Sequence, residues 1–378
     1  MKVVLEVDPI SAPLTGIGRY TLALARELRG EPRVTELRFL HRGRLIDNPE
    51  HLLAGGQAVA LARRHLPLRS LARRAYRGFT GWRLRQQSRA LRDFVYHSPN
   101  YTLLPFEGPS VVTVHDLSFL RYPEFHPAER IAFLAREFPR ALARADQVIT
   151  DSAYVAQEIQ ARLGVPADRL SVVPLGVDPV FRPHTEAACA ATLHRLGLRW
   201  RGYLLIVATI EPRKNFERLL AAFASLPAPL RRAFPLAVAG SAGWRTEQVH
   251  QTLSRLEAAG EALALGYVDE TALPQVYSGA AAFAFPSLYE GFGLPALEAM
   301  ACGTPVVASS ASALAEVLGD AAEVIEPESV ESIADGLARV LDDPARREAL
   351  SRLGPAQAAG FSWAQCARRT VDVYARLG

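Results

Sequence analysis

The stretch FPSLYEGFGLPALEAMACGTPVVAS, residues 285–309, reads as strand, loop, helix and strand in succession. The run AAFAFPS at 281–287 is apolar and ends in turn-formers, and TPVVAS at 304–309 is a second strand. Between them GFGL sets two glycines where backbone must come close to something, and Pro295 suits the start of a helix. Free N–H groups at that helix start, with the dipole behind them, form an anion site. Two carboxylates frame it: Glu290 just before the glycines and Glu298, expected in the first helical turn. Acids on both sides of an anion site make sense if each grips hydroxyl groups.

Outward from this unit the same alternation fills the chain. Strands are expected at 203–209, 235–240, 262–266, 281–287, 304–309 and 321–327, with helices after Asn215, Thr246, Thr271, Pro295 and Ser329. The first half repeats the plan, with strands at 3–7, 35–40, 93–97, 110–115, 147–150 and 170–175 and helices at 18–29 and 128–145. Strand–helix alternation at this spacing implies α/β architecture with parallel sheets covered on both faces. A chain of 378 residues suits two such domains. GVDPVFRPHTE at 176–186 has two prolines and no apolar period, and reads as the linker. The expected division is 1–175, linker 176–186, 187–360, and a C-terminal amphipathic helix in 361–378 that packs back across the linker.

Charge is uneven. Residues 51–92 hold ten arginines and no acid, so a net +4 for the chain leaves about −6 for the rest. Leu66, Leu68, Leu71, Tyr76, Phe79, Trp82 and Leu84 interleave with them. A basic amphipathic segment, with Arg73, Arg74, Arg77 and Trp82 at its centre, suits an anionic membrane surface or an acidic acceptor. No zinc-finger spacing or aromatic ribonucleoprotein motif points to nucleic acid. No run reaches the roughly 18 apolar residues of a membrane-spanning helix, and in MKVVLEVDPI Asp8 interrupts the run too early for a signal peptide. Cys189, Cys302 and Cys366 have no metal-type spacing, so neither zinc nor disulfides are expected. The resulting localisation is cytoplasmic, peripheral at the inner face of the membrane.

A second segment, IVATIEPRKNFERLLAAF at 206–223, ends a strand at Thr209 and carries Arg213 and Lys214 in the following loop. Cations at a strand's carboxyl end point into the crevice where α/β proteins bind ligands, and can stabilise charge that develops on a departing phosphate. The sequence holds no Asp-x-Asp pair. LTGIGRY at 14–20 is a Gly-rich turn without the third glycine of a dinucleotide fingerprint; read alone, it is equally a tight structural turn.

These segments resemble glycosyltransferase family 4, retaining enzymes of the GT-B fold with two facing Rossmann-like domains. Glu290 and Glu298 stand at the two positions of that family's E-x7-E signature, and TIEPRKN matches a second family segment, with Ala208 where relatives commonly carry glycine. The resemblance implies Glu290 near the donor sugar's hydroxyls and Glu298 on the nucleotide ribose. It implies Gly291, Phe292, Gly293 and Leu294 as backbone partners of sugar and diphosphate, beside Thr209, Arg213 and Lys214. Gly16 and Gly18 become diphosphate candidates, His115 in SVVTVHDLSF a residue against the sugar, and Val268 in GYVDE a base contact. VAGSAGW at 238–244 is expected to border the phosphates.

The implied activity is a metal-independent, retaining transfer of a hexose, with no cofactor beyond the nucleotide diphosphate-sugar co-substrate. HDLSFLRYPEFHP together with TIEPRKN resembles bacterial mannosyl- and deoxyhexosyl-transferases of surface polysaccharide assembly, which favours a GDP-sugar and a saccharide or lipid-linked saccharide acceptor. A UDP-sugar-dependent transferase, a nucleotide-sugar epimerase of the same architecture and a non-catalytic nucleotide-sugar-binding protein are the alternatives.

Overall fold

The computed structural model describes residues 1–12, 14–54, 84, 89–241, 243 and 247–377. The arginine-rich centre, with Arg73, Arg74, Arg77 and Trp82, lies outside the described residues. Two compact units are present: Met1–Gly176 with Trp363–Gly378, and Val177–Ser362.

The first unit is built on β1 (Lys2–Glu6), β2 (Glu36–His41), β3 (Arg44–Ile46), β4 (Phe94–Ser98), β5 (Ser110–Val114), β6 (Gln147–Thr150) and β7 (Leu170–Val172). Their order is β3-β2-β1-β4-β5-β6-β7, and every neighbouring pair is parallel except β2 with β3. β4, β5 and β6 are buried along their whole length, as central strands covered on both faces are, and the polar residues among them, such as His97 and Thr113, are hydrogen-bonded to each other or to neighbours. β3 is the strand that sequence period does not reveal. It is three residues long and follows a tight turn in which Arg42 and Gly43 both have positive φ, 51° and 71°.

The second unit carries β8 (Leu204–Val207), β9 (Leu236–Ala239), β10 (Ala262–Gly266), β11 (Ala282–Phe285), β12 (Val306–Ser309) and β13 (Ala322–Ile325), all parallel, in the order β10-β9-β8-β11-β12-β13. Its core joins Leu204 and Ile206 of β8 to Phe216, Leu219 and Phe223 of the helix Phe216–Ser225, and to Leu337 of the helix Val330–Asp342. Burying each such side chain contributes roughly 1.5–3 kcal/mol. In both sheets the strand order reverses once, between β1 and β4 and between β8 and β11. Ligand crevices of open parallel sheets form at such reversals, outside the strands' carboxyl ends.

Residues 177–186, expected as a linker, pack on the second unit. Phe181 sits edge-on to Tyr277 at 5.9 Å, and the His184 amide donates to Ser278 Oγ at 3.2 Å. Val177 forms a β-bridge with Ser362, and its amide donates to the Phe361 carbonyl at 3.2 Å. The helix Trp363–Tyr374 belongs to the first unit, where the Tyr374 hydroxyl lies 2.6 Å from His97 Nδ1 and Arg33 pairs with Asp372 at 2.5 Å.

His97 is fully buried on β4 between Tyr374 and Thr113, and desolvation, with some repulsion from His115, pushes its pKa down to about 3. An unfolded histidine titrates near 6.5, so between those two values the unfolded chain binds the extra proton and stability rises with pH. Complete below about 3, the loss amounts to roughly 5 kcal/mol and sets in as pH falls through 6.5. Melting temperatures from pH 7 down to pH 4 check this: the wild type loses stability, and His97→Gln flattens the slope.

Candidate active site

In the second unit the loop after β8 contains a 3₁₀ turn, Pro212–Lys214, and the loop after β11 runs to the helix Leu294–Ala301. β8 and β11 are neighbours at the order reversal, so the two loops meet. Lys214 Nζ contacts Glu290 Oε1 at 2.5 Å, and Arg213 Nη1 donates to Glu290 Oε2 at 2.9 Å and to the Tyr289 carbonyl at 2.8 Å. Arg213 Nη2 also binds Glu211 Oε1 at 2.9 Å. The Glu290 amide donates to Ser312 Oγ at 2.8 Å, with Ser312 in the left-handed region at φ 62°.

The side chains of Arg213, Lys214 and Glu290 are 15%, 12% and 9% exposed, so their attraction acts with little screening by water. Burial would raise the Glu290 carboxyl, but Lys214 and then Arg213 outweigh it and hold it below the usual glutamate value. Burial also draws the Lys214 ammonium down, against Glu290 and with Arg213. These directions conflict across one contact. Two separate cations support the carboxylate's, and ionised Glu290 is the state this geometry enforces.

The amides of Gly291, Phe292, Gly293 and Leu294 find no acceptor among the described residues. They precede a helix whose cap, Gly293, has φ 105° and whose second residue is Pro295. A Cβ at Gly293 would also lie 2.4 Å from Leu314 Cδ2, so two separate constraints demand glycine. The Phe292 side chain packs edge-on against Phe361 at 5.7 Å, which leaves its backbone as the polar group on offer. Glu298 is the fifth residue of the helix and lies beyond the first turn where sequence put it. It is 4% exposed, and Tyr277 donates to its Oε2 at 3.1 Å.

Thr209 is exposed after β8, and Val268 is half-buried after β10. Within 238–244, Gly240 and Gly243 lie hard against the β8 loop, since a Cβ on Gly240 would stand 1.9 Å from the Ala208 carbonyl oxygen and one on Gly243 2.2 Å from the Ile210 carbonyl oxygen. Lys214 Nζ lies 5.1 Å from the Phe285 ring centroid. Carboxyl ends of four strands of this unit therefore carry the residues that sequence singled out.

The first unit presents a different picture. Gly16 opens the helix Gly16–Gly30 and is exposed, but the Gly18 amide is committed to the Thr15 side chain at 3.2 Å. A Cβ at Gly18 would lie 3.0 Å from Leu14 and from the Pro9 carbonyl, so packing and capping account for it. Of the two readings of LTGIGRY, Gly18 fits the structural turn. His115, after β5, has both ring nitrogens engaged: Nδ1 with Asp151 Oδ2 at 2.8 Å and Nε2 with the Pro99 carbonyl at 2.9 Å.

A carbonyl only accepts, so Nε2 carries a hydrogen and one further proton is shared between Nδ1 and Asp151. Burial disfavours charge on the ring, yet Asp151 outweighs it and holds the His115 pKa above its ordinary value. Burial likewise raises Asp151, against the attraction of His115. The pair is neutral overall with the proton on either partner, and we assign it to the ring, which the Pro99 carbonyl also stabilises. Asp116 is a turn residue: its Oδ1 accepts from the Tyr101 hydroxyl at 2.9 Å and from the Ser118 amide at 3.0 Å.

Sequence reading missed Asp151, Tyr277 and Ser312. Asp151 had a visible signal, a carboxylate directly after the strand QVIT. The other two had none, because their partners are distant in sequence. Among the described residues no three His, Cys, Asp or Glu side chains cluster to hold a metal ion, and no helix is long and apolar enough to cross a membrane.

Two Rossmann-like parallel sheets, with a buried carboxylate, two cations and free helix-start amides at one sheet's reversal, define a GT-B-type glycosyltransferase. The family model for "Glycosyltransferase Family 4" matches residues 14–181, and that for "Glycosyl transferases group 1" matches 201–357. O-antigen chain mannosyltransferase B of Escherichia coli is 37% identical over 100% of both chains. Sucrose-phosphate synthase of Thermosynechococcus elongatus superposes with a TM-score of 0.76 at 22% identity, covering 100% of this chain and 99% of that one. WaaG, a glycosyltransferase involved in lipopolysaccharide biosynthesis, gives 0.75 at 17% identity over 99% of each. The chain belongs to glycosyltransferase family 4, and it is a hexosyltransferase.

Proposed function

We propose that this enzyme is a retaining, metal-independent mannosyltransferase that uses GDP-mannose and extends a saccharide or lipid-linked saccharide of a surface polysaccharide. One observation carries the reading: Lys214 and Arg213 converge on the buried Glu290 beside the free amides of residues 291–294. Two fixed cations and a helix start can take up the charge that a nucleotide diphosphate gains on leaving, the task a divalent ion performs elsewhere. The name of the 37% identical Escherichia coli relative supports mannose and an O-antigen-type acceptor.

In this mechanism the bond from the anomeric carbon to the phosphate oxygen breaks, and its electron pair stays on the diphosphate. The acceptor hydroxyl attacks from the same face, and its proton passes to the departing diphosphate oxygen. Positive charge develops on the sugar ring between these events, and ionised Glu290 stabilises it without forming a covalent bond. Glu298 binds the ribose, Val268 the base through its backbone, and His115 fixes the sugar side of the first unit. Because both nitrogens of His115 are engaged, its contact with the sugar requires exchange of the Pro99 hydrogen bond.

A melting panel tests the donor. GDP is expected to raise the melting temperature more than UDP or ADP at equal concentration, since only bound nucleotide stabilises the fold. Turnover of GDP-mannose should survive a chelator and give a product with the donor's anomeric configuration. A UDP preference, a need for divalent ions or an inverted product each overturns the corresponding part.

The arginine-rich window 51–92 supports a peripheral seat at the cytoplasmic face of the membrane, by its sequence alone. Vesicles containing phosphatidylserine are expected to retain the enzyme at low salt and release it at about 0.5 M, where screening is nearly complete. Binding that ignores salt, or none, removes the membrane from the account.

A further inference from the structure

Between the two cations and the helix that follows them stands a residue that the mechanism above does not use. Asn215 is 3% exposed and sits in the left-handed region, φ 61° and ψ 36°. Its carbonyl accepts from the Leu219 amide, in the first turn of the helix Phe216–Ser225. Its side-chain nitrogen donates twice, to the Pro286 carbonyl at 3.0 Å and to the Pro327 carbonyl at 2.7 Å, which spends both amide hydrogens. Its side-chain oxygen accepts from Arg218 Nη1 at 3.1 Å.

Those two carbonyls lie at the exits of β11 and β13. Pro286 begins the segment that ends, four residues on, at Glu290, and Asn215 itself directly follows Arg213 and Lys214. One side chain thus ties the loop bearing both cations to the loop bearing the carboxylate, with β13 as a third anchor. Starting a helix does not require this, because glycine adopts the same backbone without a side chain. Nor does burial: an Asn amide inside a protein needs partners, and an alanine there would need none.

Taking Glu290, Lys214 and Arg213 as the working groups of the proposed reaction, we infer that Asn215 is a positioning residue that sets the spacing of the two cations from the Glu290 carboxylate. Small errors in such spacing are costly, since preorganised charge acts only where charge develops. Glu290 is faced by Lys214 and Arg213 from the β8 loop, with Glu211 beyond Arg213, and by Ser287 and Ser312. Loosening the cations therefore weakens the attraction that opposes desolvation of the carboxyl.

Asn215→Gly and Asn215→Asp are the variants. Both tolerate the left-handed backbone; glycine removes the clamp, and aspartate keeps the shape but turns acceptor atoms toward two carbonyls. Each is assayed at a temperature where circular dichroism shows it folded, for kcat and KM of the sugar donor and for the pH dependence of kcat/KM. The expected result is a ten- to hundredfold fall in kcat/KM, with the acidic limb moved to higher pH. A lowered melting temperature with wild-type kcat/KM and an unmoved limb marks an ordinary structural residue and overturns the inference. Glu290→Gln run alongside keeps the two levels apart. If it is fully active, the reading of the site fails; if it is inactive while both Asn215 variants behave as wild type, only the clamp fails.

Discussion

Glu290→Gln is expected to lower turnover by roughly a thousandfold while nucleotide diphosphate binding survives, in the range found when one preorganised electrostatic group is lost. Glutamine keeps the shape but removes the negative charge that Lys214 at 2.5 Å and Arg213 at 2.9 Å now share. Two buried cations are left facing a neutral amide, and breaking a pair of this kind costs about 3–5 kcal/mol. The ligand-free variant should therefore melt lower than the wild type. A nucleotide diphosphate brings its own negative charge to the same cations, so it should restore more stability to the variant than it adds to the wild type. Initial rates and melting curves with and without GDP test both halves. Full activity removes Glu290 from the mechanism, and an equal GDP shift in both proteins removes the diphosphate from Lys214 and Arg213.

Lys214→Ala should give the complementary pattern. Here the charge lost belongs to the side proposed to meet the diphosphate, so affinity falls together with turnover, and kcat/KM for the donor drops by about 10²–10³. The change also removes the largest attraction holding the Glu290 carboxyl down, while burial continues to push it up. The carboxyl pKa rises, a larger fraction is protonated at a given acidic pH, and the acidic limb of kcat/KM moves to higher pH. Calorimetric titration with GDP reads the first effect and a pH series of rates the second. Unchanged GDP affinity would place the diphosphate elsewhere.

Most of this arrangement was legible in the sequence for a definite reason. Parallel strands covered on both faces are continuous apolar runs, so all twelve expected strands are present, and their carboxyl ends are where chemistry gathers. Arg213, Lys214 and Glu290 could be singled out because each lies in the loop that follows such a run. The failures share a cause as well. β3 is too short to show a period, and Glu298 falls a turn later because the helix begins at Leu294. Gly18 stayed open between a tight turn and, by the family resemblance, a diphosphate neighbour, because glycine serves packing and ligand approach equally well. The double engagement of His115 depends on Pro99 and Asp151, two residues that only the fold brings to it.

The bridge between Val177 and Ser362 bears on how this enzyme could be re-engineered. The second unit enters and leaves the chain at adjacent points, so it is an insertion with its two ends side by side, the condition under which a domain can be grafted into a host. The matching unit of a relative could be spliced between Gly176 and Trp363, because its two ends lie side by side. The first unit, in contrast, cannot be obtained by stopping the chain at Gly176, because Tyr374 and Trp363 would be stripped from its core. The second unit is thus exchangeable as a block, whereas the first must keep both ends of its polypeptide.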